Sequence, residues 1–342
     1  MIASLATPWL LGVLAVCAVI ILVLGTRMVR IADRLADMTG LGEAMIGGML
    51  LGAATSLSGT VVSVSAALDG RASLAFSNGV GGIAAQTAYL AIADVLHRKA
   101  NLEHASAEAT NLFQSALLVF LLSIPLIAWA GPDWTFWSIH PASVLLVGAY
   151  IGGMVLTREV KARPMWRPRQ TDDTRTDDPE EEVDSGSARS VGVQFVVLML
   201  LLGTTGWVIS QAAVEVVGRF GVSETVVGAL VTAVITSLPE LVTTVTAVRR
   251  GAMQLAVGGI IGGNTYDVIF LALFDSSYRD GSLYHAASRA DLLWLGAGFA
   301  MTGLLLLGLI LREREGPFRI GTESVMMLLV YGGVVALSLG VG

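Results

Sequence analysis

Glu240 is the residue of this chain that most needs a chemical explanation. It sits in GALVTAVITSLPELVTTVTAVRRG, residues 228–251, where it is the only charged residue before Arg249. A carboxylate in the middle of an apolar, membrane-length segment costs at least a few kcal/mol unless a partner, a cavity or a proton offsets it. Pro239, directly before it, has no N–H, so the carbonyl of Ile235 loses its helical partner and the helix should kink there. The freed carbonyls of Ile235 and Thr236, the hydroxyls of Thr236, Ser237, Thr243 and Thr244, and the Glu240 carboxylate are hard oxygens of the kind that take Na⁺ or Ca²⁺. The next apolar segment contributes GGIIGGNTYDVIF, residues 258–270, in which Asn264 and Asp267 are three apart and share a helix face. Asp267 reads as a second acid of the same cavity or as a neutral acid held by local hydrogen bonds. The glycines at 258, 259, 262 and 263 read as helix packing or as room beside an ion.

These residues lie in a stretch that occurs twice. Residues 42–94 align with 223–275 at a constant offset of 181, with 16 of 53 positions identical, among them Glu43/Glu224, Thr55/Thr236, Ser56/Ser237, Gly70/Gly251 and Asp94/Asp275. Two apolar half-chains, each interrupted by small polar residues at matching positions, mark a transporter built by duplication, with its site where the copies meet.

Composition supports that setting. The 342 residues are 54% hydrophobic and 14% charged, and the mean hydropathy is +0.72, far above a soluble domain. Ten segments are long enough to cross about 30 Å of hydrocarbon, at 8–27, 41–67, 71–96, 111–130, 137–156, 191–218, 222–248, 252–275, 290–311 and 323–341. No strand-length alternation suggests a barrel, and the first segment reads as a retained span, not a signal peptide. The expected fold is therefore an all-α integral membrane protein of ten helices. Its first five-helix repeat covers 1–156, a linker 157–190 and the second repeat 191–342.

An odd number of spans per repeat makes the copies inverted. With the linker inside, 17 Lys and Arg fall on the cytoplasmic side and only Arg71, Arg219, Arg279 and Arg289 outside, so both termini are expected outside a cell (inner or plasma) membrane. The linker, with TDDTRTDDPEEEVDSGS, supplies much of the net charge of −6 and reads as a solvated tether, with a regulatory cation sensor as the other reading. Cys17 is the only cysteine, which excludes an intrachain disulfide or thiolate metal site. His97, His104, His140 and His285 fall at span ends and read as surface residues. Glu43 and Glu224 read as helix N-terminal acids or a cation vestibule, Asp94 and Asp275 as interfacial ends, and Glu215 as an ion-path or snorkelling acid.

Thr236-Ser237-Leu238-Pro239-Glu240, followed by Gly263-Asn264-Thr265-Tyr266-Asp267, resembles the second α-repeat of the sodium/calcium exchanger family within the Ca²⁺:cation antiporter superfamily. The resemblance implies that spans 2, 3, 7 and 8 surround the ions while spans 1 and 6 slide across this core in alternating access. It carries the family's ligands over to Thr236, Ser237, Glu240 and Asp267. The first repeat departs from the pattern, with Ser58-Gly59 in place of a second Pro-Glu, Gly82 and Gly263 where the family often has serine, and Gln86 opposite Asp267. Thr55, Ser56, Ser63 and Gln86 remain as its neutral contribution.

The reading is then a secondary cation antiporter, exchanging Ca²⁺, Na⁺ or another cation against Na⁺ or H⁺ at a midplane site. Its candidate ion residues are Glu240, Asp267, Thr236, Ser237, Asn264, Thr55, Ser56, Gln86 and Ser63, with Glu240, Asp267, Thr236 and Thr55 as direct metal ligands. Only two of them are acids, which suits a divalent ion poorly. The other reading is a non-transporting relative that acts as a membrane partner or sensor. An enzyme would need a nucleophile and base or a His/Asp metal cluster in the spans, and none is visible. The expected partners are inorganic cations and the lipid bilayer, not nucleic acid; no cofactor is expected, and oligomeric state stays open.

Overall fold

The structure is a computed structural model that describes residues 5–39, 56–96, 101–165, 167, 169, 188–313, 316 and 320–341. Glu43, Thr55, His97, the first part of the expected second span and most of the acidic linker fall outside the described residues. Helices make up nearly all of the rest. They are α1 (Thr7–Thr39), α2 (Leu57–Leu68), α3 (Ala72–Leu96), α4 (Leu102–Ser106), α5 (Ala109–Ala130), α6 (Pro141–Ala162), α7 (Ala188–Phe220), α8 (Glu224–Thr236), α9 (Leu238–Arg250), α10 (Met253–Ser277), α11 (Leu283–Ala286), α12 (Arg289–Leu311) and α13 (Thr322–Val341). Among the described residues eight helices are long and apolar enough to cross a membrane, or nine if the bent pair α8–α9 is one span.

The offset of 181 extends well beyond the stretch in which the sequence shows it. It separates the first residues of α1 and α7, α2 and α9, α3 and α10, α4 and α11, and α6 and α13. Arg219, at the end of α7, donates to the Leu5 carbonyl just before α1, so these equivalent helices run antiparallel. Arg71, just past α2, pairs with Glu224 at the start of α8 at 2.7 Å, which sets the second equivalent pair antiparallel as well. The two copies are inverted with respect to one another.

Turns and caps repeat along with the helices. Gly70 (φ +73°) and Gly251 (φ +87°) end α2 and α9 in the left-handed conformation that costs a residue without Cβ little. In both, the next amide reaches back to an equivalent carbonyl, Arg71 to Ala66 and Ala252 to Ala247. Asp94 and Asp275, read from sequence as interfacial, are buried caps. Asp94 accepts from the amides of Leu102 (2.9 Å) and Gly321 (2.8 Å), and Asp275 from those of Leu283 (2.9 Å) and His140 (2.8 Å). Each carboxylate thus fastens the short helix of its own repeat and the head of the other repeat's last helix to the end of α3 or α10.

Two sequence expectations fail here. α4 and α11 are too short to impose a period on the sequence and were not expected. His104 and His140 are buried rather than on the surface, because these short helices fold back over the span ends. His140 caps α6 by accepting from the Ala142 amide.

α3 and α10 form the centre. α3 is apolar or small on all sides and is buried along most of its length. Its close neighbours need its small residues: a Cβ on Gly81 would stand 2.6 Å from the Ala229 Cα. By contrast α1 and α7 pack along each other and expose Val16, Val19, Val193 and Leu200. They form the periphery of the core made by α2, α3 and α8–α10.

Candidate functional site

The helix that carries Glu240 is broken in the structure. α8 winds through a π-helical turn at Val227–Thr232, ends at Thr236, and α9 leaves at 48° after Ser237. Pro239 falls in the first turn of α9, where its missing N–H would have been unpaired in any case. The Thr236 hydroxyl closes the last turn of α8 by donating to the Thr232 carbonyl at 2.9 Å. This break leaves Thr236, Ser237 and Glu240 together at the point where α2 begins directly after Ser56.

Between these helix ends lies a cavity of about 30 Å³, lined by Ser56, Gly59, Asn78 and Gln86 of the first copy and Thr236, Ser237, Glu240 and Asp267 of the second, with Phe270 and Phe274 to one side. A single water occupies about 10–15 Å³ by this measure, so the space suits one small ion with little of its hydration shell. None of the lining residues is basic. The local pseudo-twofold runs through a short hydrogen-bond set. Ser56 donates to Asp267 Oδ1, and Gln86 Nε2 donates to Asp267 Oδ2 at 2.8 Å and to Ser237 Oγ at 3.4 Å. Ser56 and Ser237 are equivalent positions, as are Gln86 and Asp267.

Six of the expected residues therefore meet at one cavity: Ser56, Gln86, Thr236, Ser237, Glu240 and Asp267. Thr55 lies outside the described residues. Two others are elsewhere. Asn264, expected to face the same cavity as Asp267, is rotated toward α3 and donates to Thr87 Oγ1 at 2.9 Å; three residues along a helix leave about 60° between side chains. Ser63 stands behind the cavity, donating to the Ala75 carbonyl and accepting from Asn78.

Asn78 is the lining residue that the sequence reading missed. Its amide donates to the Gly59 carbonyl at 3.1 Å and to Ser63 Oγ at 2.9 Å, and its oxygen accepts from Thr232 at 2.6 Å. The signal was there, since Asn78, Gly82 and Gln86 recur at four-residue spacing on one face of α3. The position equivalent to Glu240 is Gly59, where a Cβ would stand 3.3 Å from Thr236 Oγ1. Among the described residues no group of three or more His, Cys, Asp or Glu is arranged to hold a metal ion. The cavity's negative charge comes from Glu240 and Asp267 alone.

Close helix contacts flank the site symmetrically. A Cβ on Gly25 of α1 would fall 2.3 Å from the Pro239 ring, and one on Gly206 of α7 would fall 2.5 Å from the Ser58 carbonyl oxygen. Gly25 and Gly206 are equivalent, and so are Ser58 and Pro239.

An all-helical membrane bundle of two inverted copies, with polar side chains of both converging on one central cavity, defines the class of inverted-repeat secondary transporters. The sequence profile of the sodium/calcium exchanger protein family matches residues 9–157 and 190–340, and the chain belongs to that family of cation exchangers. CaxA of Alkalimonas amylolytica is 28% identical over 141 residues, 41% of this chain and 43% of that protein, so the match spans less than half of that relative. The H⁺/Ca²⁺ exchanger CAX superimposes with a TM-score of 0.64 at 14% identity, over 97% of this chain and 86% of that one. The sodium-calcium exchanger NCX_Mj does so with a TM-score of 0.60 at 18% identity, over 96% and 98%. These likenesses establish the fold.

Proposed function

We propose that this protein is a secondary active antiporter that takes a cation, stripped of most of its water, into the central cavity and exchanges it against Na⁺ or H⁺ by alternating access. The observation that carries this reading is the convergence of Glu240, Thr236, Ser237 and Asp267 with Ser56, Gln86 and Asn78 around a space of ionic size. Glu240 is the principal charged ligand. Asp267 already accepts from Ser56 and Gln86 and sets the geometry of the opposite wall. The symmetric approach of α1 to Pro239 and of α7 to Ser58 supports these two helices as the moving pair. The superimposable proteins, one an H⁺/Ca²⁺ exchanger and one a sodium-calcium exchanger, frame the candidate ions. Flux in proteoliposomes under separate Ca²⁺, Na⁺, K⁺ and pH gradients tests the reading; no gradient driving uphill movement of any cation overturns it.

The orientation belongs to the same proposal: both termini outside and the linker cytoplasmic, from the distribution of Lys and Arg. In a Cys17→Ser background, cysteines placed at Ser185 and Ser277 should label from opposite faces, Ser185 from the cytoplasm. Labelling of both from one side would remove this topology.

A further inference from the structure

The two equivalent caps, Asp94 and Asp275, are built alike in their backbone and differently in what surrounds them. Around Asp275, the Ser143 hydroxyl donates to the carboxylate at 2.6 Å and meets the Tyr284 hydroxyl at 2.9 Å. Tyr284 is equivalent to Glu103, Ala142 to Glu323 and Ser143 to Ser324. The fold thus closes this corner once with a tyrosine and an alanine. At the other corner it places two more acids beside a third, all buried, with Glu103 1% and Glu323 6% exposed.

The backbone does not need those acids, so their presence calls for a ligand. Glu103 and Glu323 lie within hydrogen-bonding reach of one another, packed over Gly308 of α12, where a Cβ would meet both side chains. Two carboxylates cannot hydrogen-bond to each other without a proton between them. Glu103 Oε2 and Glu323 Oε1 have no hydrogen-bond partner among the described residues. Nor has the Ser324 hydroxyl, fully buried, whose counterpart Ser143 is doubly bonded. Both oxygens of Asp94, by contrast, accept backbone amides. No metal geometry is present among the described residues.

We infer that Glu103 and Glu323 form a second proton-binding site, separate from the transport cavity: a carboxyl–carboxylate pair that holds one proton and thereby ties α4 to the head of α13. When the proton leaves, two buried carboxylates face one another beside Asp94 and the corner is pushed apart. The charged groups that face it are Asp94 of α3 and Glu313 in the chain before α13. Beside it the Arg312 guanidinium donates to the carbonyls of His104 and Arg169, and the His104 imidazole bonds to the carbonyl of Arg312. α5 contains no charged residue, and α10 none before Asp267. On the orientation proposed above, this corner faces the cytoplasm.

Burial, with Asp94 and Glu323 beside it, pushes the Glu103 carboxyl well above its ordinary 4.5. A raised pKa in the folded state gives stability that is present below 4.5 and is lost as pH rises through the raised value. The test uses the purified full-length protein in nanodiscs. Wild type should show the infrared C=O stretch of a protonated carboxyl at neutral pH that Glu103→Gln lacks; an identical band in both overturns the proposal. The double variant Glu103→Tyr/Glu323→Ala copies the other corner. The Tm of wild type should fall relative to this variant as pH rises from about 4.5 into the alkaline range, whereas a difference that stays constant with pH sinks the idea. Should the double variant not fold, Glu323→Gln gives the same Tm comparison. Neither readout depends on transport.

Discussion

The two copies agree wherever the backbone makes a demand and differ in the charge they bring to the central cavity. Gly70 and Gly251 make the same turn, Asp94 and Asp275 the same cap, and Gly25 and Gly206 the same close approach. At the cavity itself Ser58-Gly59 faces Pro239-Glu240, and Gln86 faces Asp267. The lesson is that a duplicated fold holds its geometry through turns, caps and contacts, leaving the ligand set free to become one-sided. Both cavity carboxylates now come from the second copy.

The comparison breaks most sharply at Glu240. Removing one partner of a buried ion pair costs about 3–5 kcal/mol, so Glu240→Gln should lower exchange in proteoliposomes by on the order of 100-fold or more while leaving Tm nearly unchanged. Its symmetry mate should be tolerant. A Cβ at Gly59 meets a hydroxyl at 3.3 Å that can give way, and Gly59→Ala should keep exchange within about threefold of wild type. Similar losses from both substitutions would mean that the cavity is no more charged on one side than on the other.

The flanking glycines give the next effect. Overpacking costs about 1–3 kcal/mol, which corresponds to roughly thirtyfold in turnover at its centre, and both Gly25→Ala and Gly206→Ala should show it. They should differ in rescue. Gly25→Ala strikes the Pro239 ring, so Pro239→Ser, which copies the first repeat, should restore part of the rate. Gly206→Ala strikes the main-chain carbonyl of Ser58, and no side-chain change there should help. Wild-type turnover in both alanine variants would show that α1 and α7 do not pass these points.

Much of this was legible in the sequence. The duplication, the membrane class and a break beside Pro239 follow from an offset, a hydropathy and a residue that a helix accepts only in its first turn. The meeting of Thr236, Ser237, Glu240 and Asp267 with Ser56 and Gln86 is what the resemblance to the exchanger family implied, and it arises because equivalent positions in inverted copies face one axis. What was not legible depends on rotation and on contacts between distant elements. Asn264 turns toward Thr87, and Asn78 reaches Gly59 and Thr232 across three helices. The burial of Asp94, Glu103 and His140 is set by α4 and α11, four or five residues each, which carry no periodic signal.

The smallest predicted effect concerns the charge that the first copy lacks. Ca²⁺ affinity rises with the number of charged ligands, and here one of the two carboxylates already has both oxygens engaged by Ser56 and Gln86. Wild type should therefore bind Ca²⁺ weakly and prefer Na⁺ or H⁺. Gly59→Glu restores an acid opposite Glu240. The added carboxylate and Ca²⁺ about 5 Å apart attract by roughly 7 kcal/mol at an effective dielectric of about 20, of which repulsion from Glu240 takes back roughly 3 kcal/mol and crowding at Thr236 and Asn78 about 3 kcal/mol. The remaining ~1 kcal/mol is about a fivefold gain in Ca²⁺ affinity, readable by calorimetric titration of the purified variant against wild type. Tight Ca²⁺ binding by wild type that vanishes in Glu240→Gln would show the opposite: that neutral oxygens of Ser56, Thr236 and Asn78 make up for the missing charge, and the monovalent preference would be abandoned.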